Sequence, residues 1–249
     1  MSQQLPRQIR QPRNHLGSPS RSPGVTDGMK EEERDYEESR RRLVAALARH
    51  GVSEPVLAAM LRVKRHLFVP SHLREQAYSD YPLPIGEGQT ISAPHMVAMM
   101  CDYLDLKRGE QVLEIGAGSG YHAAVIAELI GEEGQVYSIE RIAWLVDFSQ
   151  QNLARAGYRN VTVHQGDGTL GFPEHAPYDK ISVTCAAPDL PPPLLEQLKS
   201  GGKLVIPIGR FQQVLYLIEK KNGVEKSRKV DVVFVPLVGK YGFAQNDPL

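Results

Sequence analysis

Gln111-Val-Leu-Glu-Ile-Gly-Ala-Gly-Ser-Gly-Tyr-His122 is the stretch whose reading decides the fold. Val112, Leu113 and Ile115 form a short apolar run of the kind that parallel sheets bury on both faces. The run breaks at Gly116, Gly118 and Gly120, and a helical pattern follows from Ala123 to Ile130. Strand, glycine turn and helix open a nucleotide-binding βαβ unit. The glycines let the backbone turn tightly and let a ligand approach the first helical N–H groups without meeting a Cβ.

The spacing narrows the ligand. A pyrophosphate fingerprint is G-x-G-x-x-G, whereas this stretch reads G-x-G-x-G. Glu114 places a carboxylate near the strand end, where it repels a diphosphate and attracts a cationic amino group. Glu140, followed by Arg141, ends the next apolar run, Val136–Ile139. An acidic residue there is placed to hold the ribose hydroxyls of an adenosine ligand. Together these features resemble the S-adenosylmethionine site of class I methyltransferases; the bland alternative is a glycine-rich turn with no ligand.

The composition bounds the rest. A chain of 249 residues suits one α/β domain with an appendage, and its 29 basic and 29 acidic side chains balance. Zero net charge argues against a generally nucleic-acid-seeking protein. Cys101 and Cys185 are the only cysteines and offer neither a disulfide framework nor metal-ligand spacing. No apolar run approaches the roughly 18 residues of a membrane span, and no signal-peptide pattern is present. The expectation is a cytoplasmic monomer with no metal, membrane or nucleic-acid partner.

Residues 1–33, with Arg7, Arg10, Arg13, Arg21 and four prolines, have almost nothing to bury and are expected to be disordered. A helical pattern begins at Tyr36, with Leu43 and Leu47 on one face, and Gly51 stops it. Ser53 then caps a second helix carrying Pro55 in its first turn and a stripe of Val56, Leu57, Met60 and Leu61. His66 reads as a structural hydrogen-bonder. In Tyr81–Met96, two prolines and two glycines argue against regular structure through Gly88, and a helix is expected from Pro94 to Leu104. Thr90 and Ser92 stand just ahead of that helix. Unpaired N–H groups and two hydroxyls make an anion site there; Ser92 as a simple cap is the other reading.

Beyond the glycine turn the βα alternation continues. A helix is expected over 142–156, a strand over 161–165 ending in Gly166-Asp167-Gly168, a strand over 181–184, a helix from Leu194 and a strand over 203–206. That makes five parallel strands, with the strand order reversing beside the first of them. Two more strands, 214–218 and 230–237, flank a hairpin signal at Asn222-Gly223. The expected fold is α/β: a Rossmann-like, seven-stranded, mostly parallel sheet flanked by helices. Its parts are an extension at 1–33, an N-terminal helical and substrate part at 34–106, a cofactor-binding core at 107–209 and C-terminal strands at 210–249.

With these pieces placed, Gly88–Met96, Val112–Tyr121, Gly166–Gly168 and Gly201–Gly209 resemble, in that order, the protein-L-isoaspartate O-methyltransferase family. Arg65–Pro70 and Phe234–Leu237 fit it as well, and the likeness runs from about Tyr36 to Phe243. Gln89-Thr-Ile-Ser-Ala-Pro-His95 is its specific part. The resemblance implies methyl transfer from S-adenosyl-L-methionine to the free α-carboxylate of L-isoaspartyl residues in damaged proteins. It implies Ser92 as the active-site serine, with Gln89, Thr90, Ile91 and His95 around the pocket. Glu114, Gly116, Gly118 and Gly120 border the methionine end, Glu140 and Arg141 the ribose, and Asp167 with Gly168 the adenine. The chain departs from the family in its extension, in Ala117 where a hydroxyl residue is frequent, and in Cys185.

The chemistry agrees. A carboxylate, with a reference pKa of about 4, is already a nucleophile at neutral pH and needs no general base. Positioning and exclusion of water remain to be supplied. The rival readings are a class I methyltransferase acting on nucleic acid or another small acceptor, a catalytically silent adenosine-binding protein, and a dinucleotide dehydrogenase. The first lacks an Asn-Pro-Pro-aromatic motif, since Thr184-Cys-Ala-Ala-Pro188 stands in its place.

Overall fold

The computed structural model describes residues 24–245, with side chains from Glu33 onward. The chain divides into two units, residues 1–35 and 36–249. What is described of the first is the opening of helix α1 (Gly24–Arg49). The disorder expected of residues 1–23 lies outside the described residues, while residues 24–33 are helical rather than disordered. The helix therefore starts ahead of Tyr36. Within it Glu37–Arg41 and Glu38–Arg42 pair one turn apart, which supports the helix.

In the second unit α2 (Glu54–Arg62) follows. Ser53 holds its N-cap position, but its hydroxyl and N–H both donate to Asp102, so it ties α2 to a neighbouring helix instead of capping. That neighbour is α3 (Pro94–Leu104). Ahead of it, where regular structure was not expected, β1 (Leu83–Gly86) and β2 (Gln89–Ile91) form an antiparallel hairpin. Glu87 and Gly88, at φ 52° and 68°, supply the left-handed pair that a tight hairpin turn needs. A two-stranded ribbon has open edges, so Pro82 and Pro84 are tolerated there.

The main sheet alternates with helices: β3 (Gln111–Ile115), α4 (Tyr121–Ile130), β4 (Gln135–Glu140), α5 (Ala143–Ala156), β5 (Val161–Gln165), β6 (Tyr178–Val183), α6 (Pro192–Glu196), β7 (Leu198–Ile208), β8 (Gln213–Lys220) and β9 (Val224–Val232). Its seven strands lie in the order β5-β4-β3-β6-β7-β8-β9, and β8 alone runs against the others. This is the expected mostly parallel sheet. Two details differ. The last strand begins at Val224, beside the Asn222-Gly223 turn, and ends at Val232; Pro236 has no N–H for a ladder, and residues beyond Val232 turn back over the sheet. The helix expected from Leu194 is the short α6, and β7 already starts at Leu198.

Successive residues of the central strands serve opposite faces. Val112, Val136 and Val163 join α2, α4 and α5 in one core. Leu113, Ile115, Ile139, Ile181 and Val183 join Leu194 and Leu198 in the core on the other face. Met100 and Leu104 of α3 pack on Val205, Leu215 and Leu217.

Candidate active site

The strand order reverses between β3 and β6, and a cleft opens at their carboxyl ends. After β3 the chain passes through Gly116, Gly118 and Gly120 at φ 93°, 53° and 86°, values that side-chain-bearing residues rarely adopt. Gly116 is also sterically obligatory, because a Cβ there would stand 2.5 Å from Thr184 Oγ1. That hydroxyl lies 2.9 Å from the Ile115 carbonyl and 2.7 Å from that of Gly116, pinning the turn to the end of β6.

Glu140 braces the turn from the other side. Its Oε2 accepts from the Gly118 N–H at 3.0 Å, and its Oε1 accepts from the Ile142 N–H at 3.0 Å. The carboxylate is buried, lines the cleft and has no ionic partner among the described residues. Lone pairs on both oxygens stay open to hydroxyl donors.

Among the sequence-predicted residues, Gln89, Thr90, Ile91, Ser92, Gly116, Gly118, Glu140, Arg141 and Gly168 line this one cleft. The β1–β2 hairpin delivers the first three, and Ser92 follows in the link to α3. Ser92 is half-buried, and its hydroxyl makes no hydrogen bond to any described residue. The N-cap of α3 is Ala93, without a side-chain cap, so Ser92 does not cap the helix.

The helix end also differs from the anion site expected of it. Pro94 has no N–H, the His95 N–H donates to Asp80, and the Met96 and Val97 N–H groups donate to the Ala93 carbonyl. The hydroxyls of Thr90 and Ser92, rather than helix N–H groups, are what this side offers a carboxylate.

His95, Glu114, Gly120 and Asp167 stand off the cleft. His95 points its ring at Asp80, with Nδ1 2.9 Å from Oδ1. Gly120 caps α4. Asp167 Oδ1 accepts from the Thr169 N–H at 2.9 Å and from its hydroxyl at 2.7 Å, and Oδ2 accepts from the Lys240 N–H at 2.8 Å. The carboxylate thus holds the returning chain near Lys240.

Glu114 lies wholly inside the sheet face that also bears Val112, accepting a hydrogen bond from Ser138. Burial pushes its carboxyl up to about 8, against the ionised form.

Sequence reasoning missed several walls: Tyr121, His122, Thr184, Cys185 and Val235–Val238. The last group reads as strand, and Pro236 was the signal that it leaves the ladder. The Leu237 N–H donates to the Ala186 carbonyl at 2.7 Å and the Ala186 N–H to that of Val235 at 2.8 Å, which seats this segment at the mouth of β6. His122 has its Nε2 3.6 Å from Cys101 Sγ and its Nδ1 unpartnered; burial pushes it down to about 4, so the ring is neutral. Burial pushes both thiols up, so neither Cys101 nor Cys185 is a nucleophile.

The donor set fits an adenosyl sulfonium compound. A buried carboxylate with open lone pairs suits a ribose diol, and Ile139, Ile142, Leu145 and the glycine turn make an apolar bed beside it. Among the described residues, no helix is long and apolar enough to cross a membrane.

Residues 38–242 match the family model of protein-L-isoaspartate(D-aspartate) O-methyltransferase. A protein-L-isoaspartate O-methyltransferase of Methanothrix thermoacetophila is 60% identical over 202 residues, covering 81% of this chain and 96% of its own. One from Archaeoglobus fulgidus is 59% identical over 210 residues, covering 84% and 97%. A crystal structure of a Plasmodium falciparum protein described as a member of this family, in complex with S-adenosyl-L-homocysteine, superposes with a TM-score of 0.73 at 34% identity, covering 80% of this chain and 98% of that one. A further solved protein-L-isoaspartate O-methyltransferase gives 0.76 at 33% identity, covering 82% and 67%.

Proposed function

The chain belongs to the protein-L-isoaspartate(D-aspartate) O-methyltransferase family, and from that premise we propose how its residues divide the work. The reaction moves a methyl group from S-adenosyl-L-methionine to the free α-carboxylate of an L-isoaspartyl residue, beginning the repair of damaged proteins. The cofactor supplies a methyl group made electrophilic by its sulfonium sulfur. Glu140, Arg141, Gly116, Gly118 and Gly168 bind it. Ser92, with Thr90 beside it, orients the acceptor carboxylate, and Val235–Val238 close the cleft against water.

One observation carries this reading: Ser92 lines the same cleft as Glu140 while its hydroxyl has no hydrogen-bond partner among the described residues. The acceptor enters as an anion and needs no base. Neutral His122 and the un-ionised thiols agree with a site that works by positioning. We further place the methyltransferase domain at 34–249 and regard the chain as a cytoplasmic monomer without a nucleic-acid partner, the last of which the charge balance supports.

The test is methyl transfer from labelled cofactor to paired peptides differing only in an isoaspartyl or aspartyl residue. The expected result is labelling of the isoaspartyl peptide. Equal labelling of both overturns the repair assignment. The two acceptors differ by one methylene in the backbone, so a site that fixes the peptide chain discriminates by geometry.

A further inference from the structure

We propose that Asp80 is a positioning residue for the acceptor side of the cleft, acting through the Gln89–Ser92 segment; this rests on the transfer reaction above. Asp80 Oδ1 accepts from the His95 backbone N–H at 2.9 Å and lies 2.9 Å from His95 Nδ1. A carboxylate oxygen only accepts, so the ring presents Nδ1–H to it. One oxygen thereby joins the chain just before the hairpin to the first turn of α3. The span between the two residues contains β1, its turn, β2 and Ser92.

The hairpin needs such a clip. It pairs with no strand of the main sheet, and an isolated two-stranded ribbon is marginal in water. Leu83, Ile85 and Ile91 anchor its inner face in the core. Its tip leans on Trp144: Gly86, at φ 99°, has no Cβ, and one built there would stand 3.2 Å from the indole ring. At the base there is Asp80.

Nearby, Arg65 is wholly buried. Its Nε donates to the Ala77 carbonyl at 2.8 Å, and its guanidinium lies 4.7 Å from the ring centroid of Tyr121, a cleft wall. Burial works against the charge on this guanidinium, while Tyr121 and, after it, Asp80 favour it. Asp80 is absent from the cleft lining and acts only through what it holds.

A carboxylate nucleophile must be held in line with the methyl it receives, and a misplacement of about 1 Å costs on the order of 10²-fold in rate. Loosening the hairpin base thus lowers acceptor turnover. Cofactor affinity changes less, because Glu140 and the glycine turn do not depend on Asp80.

The test compares Asp80→Ala, Asp80→Glu and Asp80→Asn. Asparagine keeps an acceptor oxygen at the same reach, so D80N is expected within about threefold of the parent. D80A and D80E are expected to lose at least about tenfold in kcat/KM for an isoaspartyl peptide, with the Kd for S-adenosyl-L-homocysteine within about threefold. Placed on a Ser92→Ala background, D80A should cost less than about twofold, because the residue it positions is gone. Parental kcat/KM in D80A, or an undiminished loss on the Ser92→Ala background, overturns the proposal. If D80A does not fold, D80E carries the comparison. Failure of the underlying reaction shows separately, as a parent protein that does not prefer the isoaspartyl peptide.

Discussion

Glu140 Oε2 accepts a hydrogen bond from the Gly118 N–H at 3.0 Å, so the acid that ends β4 holds the middle glycine of the turn that follows β3. Two consecutive βα units are thereby locked at the mouth of the cleft. Glu140→Ala removes this brace together with the acceptor for ribose hydroxyls. Affinity for S-adenosyl-L-homocysteine should fall by about 1.5–3 kcal/mol, the range for a hydrogen bond to a charged group. Titration calorimetry reads this directly, and unchanged affinity would remove Glu140 from the cofactor site.

Ser92→Ala separates alignment from folding. Neither Ser92 nor Ala93 caps α3 by a side-chain hydrogen bond, so the roughly 1 kcal/mol that a lost cap costs is not expected, and Tm should hold. Turnover should drop by on the order of 10²-fold, the scale for losing one transition-state hydrogen bond, with cofactor affinity little changed. Full turnover in the variant would leave Ser92 as a wall of the cleft and nothing more.

Glu114 sets a pH dependence of stability. Unfolded, its carboxyl ionises near 4.5; folded, burial holds the proton up to about 8. Between these values the unfolded chain binds fewer protons, so the stability from this group is full below pH 4.5 and is lost as pH rises toward 8. The loss by pH 7 is on the order of 3 kcal/mol. Glu114→Gln cannot ionise and still accepts from Ser138. It should match the parent in Tm at pH 4 and exceed it increasingly up to pH 8. Parallel Tm curves for the two proteins would show that another group titrates.

Asp167→Ala tests which of two duties that carboxylate performs. The hydrogen bonds to Thr169 and Lys240 predict a loss of about 1.5–3 kcal/mol in stability, with released chain beyond Leu237. Denaturant unfolding measures the first and amide exchange at residues 238–243 the second. A stable variant with weakened cofactor affinity would instead support the adenine contact that the family resemblance implies.

Much of the architecture was legible in the order of residues because the signals are local. The run Val112–Ile115 with its three glycines, the apolar segments that recur after it, and Asn222-Gly223 each carry their own periodicity or turn chemistry. The hairpin at 83–91 was not legible, since prolines and glycines that break a central strand are compatible with an isolated ribbon whose edges face no partner. The early start of α1 escaped a reading based on apolar spacing because the residues ahead of Tyr36 offer almost no apolar face.

The sequence by itself therefore determined the βα alternation, the glycine turn, and the acidic residue and hydroxyls that the cleft gathers. Only the tertiary structure decided what each polar group faces. It turned Glu114 into a wholly buried acid, gave Asp167 to Thr169 and Lys240, gave the first free N–H of α3 to Asp80, and brought Val235–Val238 back from an expected strand to the cleft. The physical reason is that burial and hydrogen-bond partners depend on which segments meet in space, and residues as far apart as Asp167 and Lys240 share no local pattern that announces their contact.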